Sequence, residues 1–122
     1  MRTASLTAAA AFFLTATPAF ATSTIACTAA GWPGMDVALV VGSTGVMQAT
    51  ISLGGEEIST VGNNGPRISQ AWIDENELKL DIVDANADQR LARLLTRRQG
   101  EGYAGTLQFR GRTIRVRCTE AG

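Results

Sequence analysis

The chain has no histidine, and only two cysteines, one tyrosine and two tryptophans among its 122 residues. Without histidine, a Ser-His-Asp triad, imidazole acid–base catalysis and a His-ligated metal are excluded. An excess of one charge is also missing. Eleven basic residues balance eleven acidic ones, so no overall field marks a nucleic-acid binder. Beyond the N-terminus no stretch approaches the roughly 20 apolar residues of a membrane span, and no membrane insertion is expected. There is no C-x-x-C and no G-x-S-x-G. Gly42 to Gly45 lacks the lysine and the following helix of a phosphate loop. Asp84-Ala85-Asn86-Ala87-Asp88 opens like a calcium loop, but Gln89 replaces the sixth-position glycine and Leu95 the closing glutamate. Asp74, Glu75 and Glu77 form an acidic tip, and a solvated tip does not shift a pKa far enough for acid–base work. The sequence reads as no enzyme, with no cofactor and no metal.

What is present begins with an export signal. Met1-Arg2-Thr3 is a short positive start, Ala4 to Ala16 is apolar around Phe12-Phe13-Leu14, and Pro18-Ala19-Phe20-Ala21 supplies the small-residue cleavage pattern. Residues 1–21 are read as a removed signal peptide. Taking 21 from 122 leaves 101 residues (22–122), one domain rather than two. The expected location is periplasmic or secreted, as a monomer. In an oxidising compartment the simplest state of Cys27 and Cys118 is one disulfide. A closed loop of roughly 90 residues stabilises by about 4–5 kcal/mol at most. Thr24-Ile25-Ala26-Cys27 is a poor lipidation site and would leave Cys118 unpaired.

Short segments of alternating apolar and polar residues, separated by turn residues, give an all-β signature. Strands are expected at Ser23 to Thr28, Asp36 to Val41, Val46 to Leu53, Glu56 to Val61, Arg67 to Ile73, Glu77 to Val83, Gln89 to Arg98, Tyr103 to Phe109 and Arg112 to Cys118. Connections this short make neighbours antiparallel. A two-residue turn at Arg110-Gly111 sets Leu107 opposite Ile114 and Tyr103 opposite Cys118, which separates apolar from polar positions. Gly54-Gly55 likewise sets Ile51 opposite Ile58, and Glu75-Asn76 sets Ile73 opposite Leu78. Gly42 to Gly45 implies a glycine bulge. The architecture expected is a small antiparallel meander, a closed or nearly closed 8-stranded barrel, with a two-sheet sandwich as the alternative. Residues 88–99 also fit a short helix through Leu91, Leu94, Leu95 and Arg98, although a strand there keeps Leu94 opposite Leu107.

Charge segregation is the outstanding feature. Glu56 to Asp88 holds 8 acidic and 2 basic residues, whereas Gln89 to Cys118 holds 8 arginines and 1 acid. The register puts Arg93, Arg97, Arg115 and Arg117 on one outward face around small residues and the apolar Leu91 and Leu95. Arginine recognises carboxylates and phosphates bidentately, so this face suits a protein partner or an anionic envelope polymer. The bland reading is solvated arginines partly paired with acidic strands. Trp72 falls on the outward face opposite Lys79, where stacking on the ammonium makes it a further binding candidate for a sugar or peptide; a tryptophan in a small β domain is more often part of the core. Trp32 is expected to plug one end, and Tyr103 to pack beside the disulfide. Ala49, Ala71, Ala92 and Gly105 on the inward face leave open a lipocalin-like carrier of a small apolar ligand, and a structural or stress-related envelope role is the third reading.

The early Cys in Thr24-Ile25-Ala26-Cys27, the late Cys in Arg115-Val116-Arg117-Cys118, and Tyr103-Ala104-Gly105-Thr106-Leu107 leading through Arg110-Gly111 give a layout that resembles the small exported C-type lysozyme inhibitor family. The resemblance implies a disulfide-closed barrel that binds a lysozyme. The Ser-Gly-x-x-Tyr-type loop of that family has no counterpart in this sequence, so no inhibitory residue carries over.

Overall fold

The computed structural model describes residues 22–62 and 64–120; the expected signal peptide lies outside them. Nine strands follow in chain order: β1 (Ser23–Thr28), β2 (Asp36–Gly42), β3 (Gly45–Leu53), β4 (Glu56–Ser59), β5 (Arg67–Ile73), β6 (Glu77–Val83), β7 (Arg90–Gln99), β8 (Gly102–Phe109) and β9 (Arg112–Glu120). They form one antiparallel sheet in the order β4-β3-β2-β1-β9-β8-β7-β6-β5. The sheet curls into a nearly closed barrel with one unsealed seam, between β3–β4 and β5. The sandwich is thereby replaced by a single sheet, and the strand number is nine rather than eight. No helix of the described residues is long and apolar enough to cross a membrane.

Turn chemistry sets the register. Arg110 and Gly111 have φ of 54° and 78°, and Gly54 and Gly55 have 59° and 88°. Paired left-handed residues give the two-residue turns whose twist matches that of the strands. Leu107 stands opposite Ile114 and Tyr103 opposite Cys118. Ile51 faces Ile58, and Ile73 faces Leu78. The bulge near Gly42 is present but displaced. Gly42 pairs with Gly45, and the register shifts between Val40 and Val41, leaving Met47 as the extra residue. A side chain at Gly42 would run into the Met47 sulfur, so the missing Cβ is where the bulged side chain rests.

Residues 88–99 contain no helix. Leu94 is inserted between Leu80 and Leu107, buried, while Leu95 points outward and is 40% exposed. Leucine and arginine favour helix locally, but burial of alternate residues between two strands outweighs a propensity of under about 1 kcal/mol per residue.

Closure joins the two ends of the chain. β1 lies beside β9 with Cys27 directly opposite Cys118, and the two form a disulfide. The interior is filled by Phe109, Leu39, Ile51, Leu78, Ile82, Leu94 and their neighbours. Thr96, buried with them, donates to the Leu78 carbonyl at 2.8 Å. Met35, 3% exposed, fills the β1–β2 end of the barrel. Trp32, expected to plug it, keeps its ring 38% exposed with the Arg112 guanidinium 5.4 Å above.

The seam opens because β4 is short. Its ladder ends at Ser59 rather than at Val61. There Thr60 donates its N–H to Ala49 O at 2.9 Å, and its hydroxyl oxygen accepts the Ala49 N–H at 3.0 Å. The N-terminal half of β3 therefore lacks a ladder partner on the edge away from β2, and a cleft of about 380 Å³ separates the β2–β3 turn from Ala71, Trp72 and Ile73. Ala71 belongs to the inward set by register but is exposed at this opening.

Candidate binding face

Strands β5 to β9 present one continuous outer face, ordered in rows across the strands. One row runs Trp72–Lys79–Leu95–Thr106–Arg115, the next Glu77–Arg97–Ala104–Arg117, and the third Gln70–Asp81–Arg93–Gln108–Thr113. The four arginines expected to share a face do so, with Leu95 and Trp72 in the same field.

They are not equivalent. Asp81 accepts from Arg93 Nε at 2.9 Å and from Arg93 Nη2 at 3.2 Å, a bidentate pair. The carboxylate makes the Arg93 guanidinium hold its proton more tightly than usual. Arg90 also approaches Asp81, at 3.5 Å. Lys79 pairs with Glu77 at 3.6 Å, so the expected stacking of its ammonium on Trp72 gives way to an ion pair. Among the described residues, Arg97, Arg115 and Arg117 have no acidic partner within 4.0 Å. Arg93 is thus a neutralised member of the face, and the uncompensated cations are the other three. They surround a floor of Ala104 and Thr106.

Gly105 shapes that floor. It lies opposite Thr96 and Val116 on the inward side. A Cβ there would collide with the Leu95 carbonyl and stand 2.7 Å from Thr96 Cα. Strand β8 therefore presses against β7 at this point, as only glycine permits. Shallow depressions border the bend. One of about 660 Å³ is lined by Ala104, Thr106, Arg115 and Arg117 among others. A second, about 390 Å³, lies between Lys79, Leu95, Arg97 and Thr106. A third, about 660 Å³, lies between Trp72, Lys79, Arg93 and Leu95. The three lie side by side along the row, with Thr106 lining two of them and Leu95 two, and together they make up the trough of this face.

Trp72 is 56% exposed and held in place. Its indole N–H donates to Asp74 Oδ2 at 3.0 Å. Asp74 Oδ1 accepts the backbone N–H groups of Asn76 at 2.7 Å and Glu77 at 2.9 Å. These bonds hold the Asp74 carboxyl below the usual carboxylate range. The tip expected to be merely solvated is a turn clamped by one carboxylate, and its signal in the sequence was an Asp two residues before Asn76. The other acidic turn, Asp84 to Asp88, is closed by its own first carboxylate, with Asp84 Oδ1 accepting from the Asp88 N–H at 2.8 Å. Gly105 carries no polar or charged signal and escaped the sequence reading as a site-shaping residue.

Comparison of the chain with models of protein families, with curated proteins and with solved structures finds no match.

Proposed function

We propose that this is an exported, non-enzymatic binding protein whose outer β5–β9 face takes an acidic protein partner in the cell envelope. The observation that carries the reading is the set of three arginines without an ion pair among the described residues, Arg97, Arg115 and Arg117, around a floor of small residues. Like charges gathered this way repel, and an incoming carboxylate relieves that repulsion while gaining bidentate bonds. The disulfide is compatible with an oxidising location. The filled interior favours this outer surface over a carrier lumen. The test is a photo-cross-linker at Ala104 in exporting cells. An adduct with an acidic protein should vanish in the Arg97→Glu/Arg115→Glu variant, at unchanged melting temperature. An adduct that survives charge reversal overturns the reading.

A second reading is inhibition of a C-type lysozyme, favoured by the disulfide between first and last strands of a short barrel. Lysis of cell walls by such a lysozyme, undiminished by micromolar purified protein, removes it.

A further inference from the structure

The trough has two chemically different ends, and both are prepared. At one end the three arginines have no ion pair within 4.0 Å among the described residues, although Glu77 stands opposite Arg97 in the ladder. At the other, Trp72 and Leu95 are the exposed large apolar side chains of this face, at 56% and 40%. Trp72 is fixed through its indole N–H by Asp74, so less rotamer entropy remains to be lost on binding. Between the ends lie Lys79, already paired with Glu77, and the small floor of Ala104 and Thr106. From Trp72 to Arg115 the row crosses four strand intervals, about 19 Å at ~4.8 Å each. Six extended residues span about 20 Å.

We propose that the trough binds an extended acidic peptide segment laid across the strands. Its carboxylates lie on Arg97, Arg115 and Arg117, and an apolar side chain about five residues away lies against Trp72 and Leu95. This deepens the acidic-partner reading and rests on it. A peptide fits better than an anionic polysaccharide, because the exposed Leu95 beside Trp72 at the apolar end offers sugar hydroxyls nothing to bond, whereas an apolar side chain gains by covering it.

The test uses two capped, fluorescently labelled peptides, EEEGGF and EEEGGG, measured by anisotropy against the purified mature protein. EEEGGF should bind about tenfold more tightly, the worth of one well-covered aromatic side chain. Trp72→Ala should reduce that ratio to near one, while Val61→Ser, at an exposed site outside the trough, should leave it at ten. Arg97→Glu/Arg115→Glu should abolish binding of both peptides. Equal binding of the two peptides, or a ratio that survives Trp72→Ala, overturns the two-ended trough but leaves the arginine face standing. QQQGGF binding as well as EEEGGF overturns the arginine face itself. Polygalacturonate displacing EEEGGF equally from the parent protein and from Trp72→Ala would assign the face to a saccharide instead.

Discussion

The Tyr103 hydroxyl donates to the backbone carbonyl of Asp74 at 2.8 Å, tying the edge of the barrel core to the β5–β6 turn. Tyr103 sits opposite Cys118 with Arg98 stacked 5.1 Å from its ring, so the bond runs from beside the disulfide to the residue that holds Trp72. Tyr103→Phe keeps the ring and removes the donor. It should cost about 1 kcal/mol, a fall of roughly 4–8 °C in melting temperature for a domain of this size. The Trp72 contribution to peptide binding should fall with it.

Asp74 gives the turn a pH dependence of known sign. Its carboxyl is depressed in the folded protein, first by the Asn76 and Glu77 N–H groups. The associated stability is therefore present above the unfolded carboxylate value, about 3.9, and is lost as pH falls through the lower folded value. Melting temperatures taken from pH 6 down to 2 should show this loss in the parent and less of it in Asp74→Asn. A carboxyl that titrates by NMR at or above the ordinary aspartate value would contradict the clamped turn.

Gly105→Ala should destabilise by about 3 kcal/mol or more, the upper end for overpacking, because the added methyl meets backbone rather than a flexible side chain. Gly31→Ala is the control, since nothing lies within 4 Å of a Cβ there, and its denaturant midpoint should barely move. Equal midpoints for the two variants would show that β8 does not press on β7.

The sulfurs of Cys27 and Cys118 belong to residues that are 0% exposed. A reductant reaches them only when β1 and β9 part, so in native buffer the disulfide should resist dithiothreitol and yield faster as sub-denaturing urea is added. Replacing both cysteines by alanine should remove about 2–5 kcal/mol. Rapid reduction without denaturant would mean that the β1–β9 junction opens easily.

Neutralising Asp81 should add to the arginine face. Arg93 is held by that one carboxylate in a bidentate pair. Asp81→Asn releases it, and binding of EEEGGF should strengthen by several-fold and become more salt-sensitive. Weakened binding would mean that the ion pair serves to shape the trough.

The rows of the face could be read from the sequence because three two-residue turns fixed the register, two through left-handed backbone at Gly54-Gly55 and Arg110-Gly111 and one through the Asp74 carboxylate, and period-two alternation did the rest. Which arginine is free could not be read in this way. Asp81 lies level with Arg93 in the ladder, yet Glu77 lies equally level with Arg97 and pairs with Lys79 instead. That choice belongs to side-chain rotamers, which alternation does not encode. The seam was hidden for a related reason. The apolar–polar pattern runs on to Val61, but the Ser59 hydroxyl takes the Val61 N–H at 3.2 Å and the Thr60 hydroxyl takes that of Ala49. Two short side chains thus compete with the ladder locally and end it early.

The link between the first and last strands also decides how the molecule carries load. Tension applied through residues outside the Cys27–Cys118 ring passes directly from one sulfur to the other and bypasses the 91-position span between them. Pulled from points outside the ring, the oxidised protein should lengthen only by the residues that lie outside it. The barrel and its outer face would keep their shape under forces that would unravel the reduced chain.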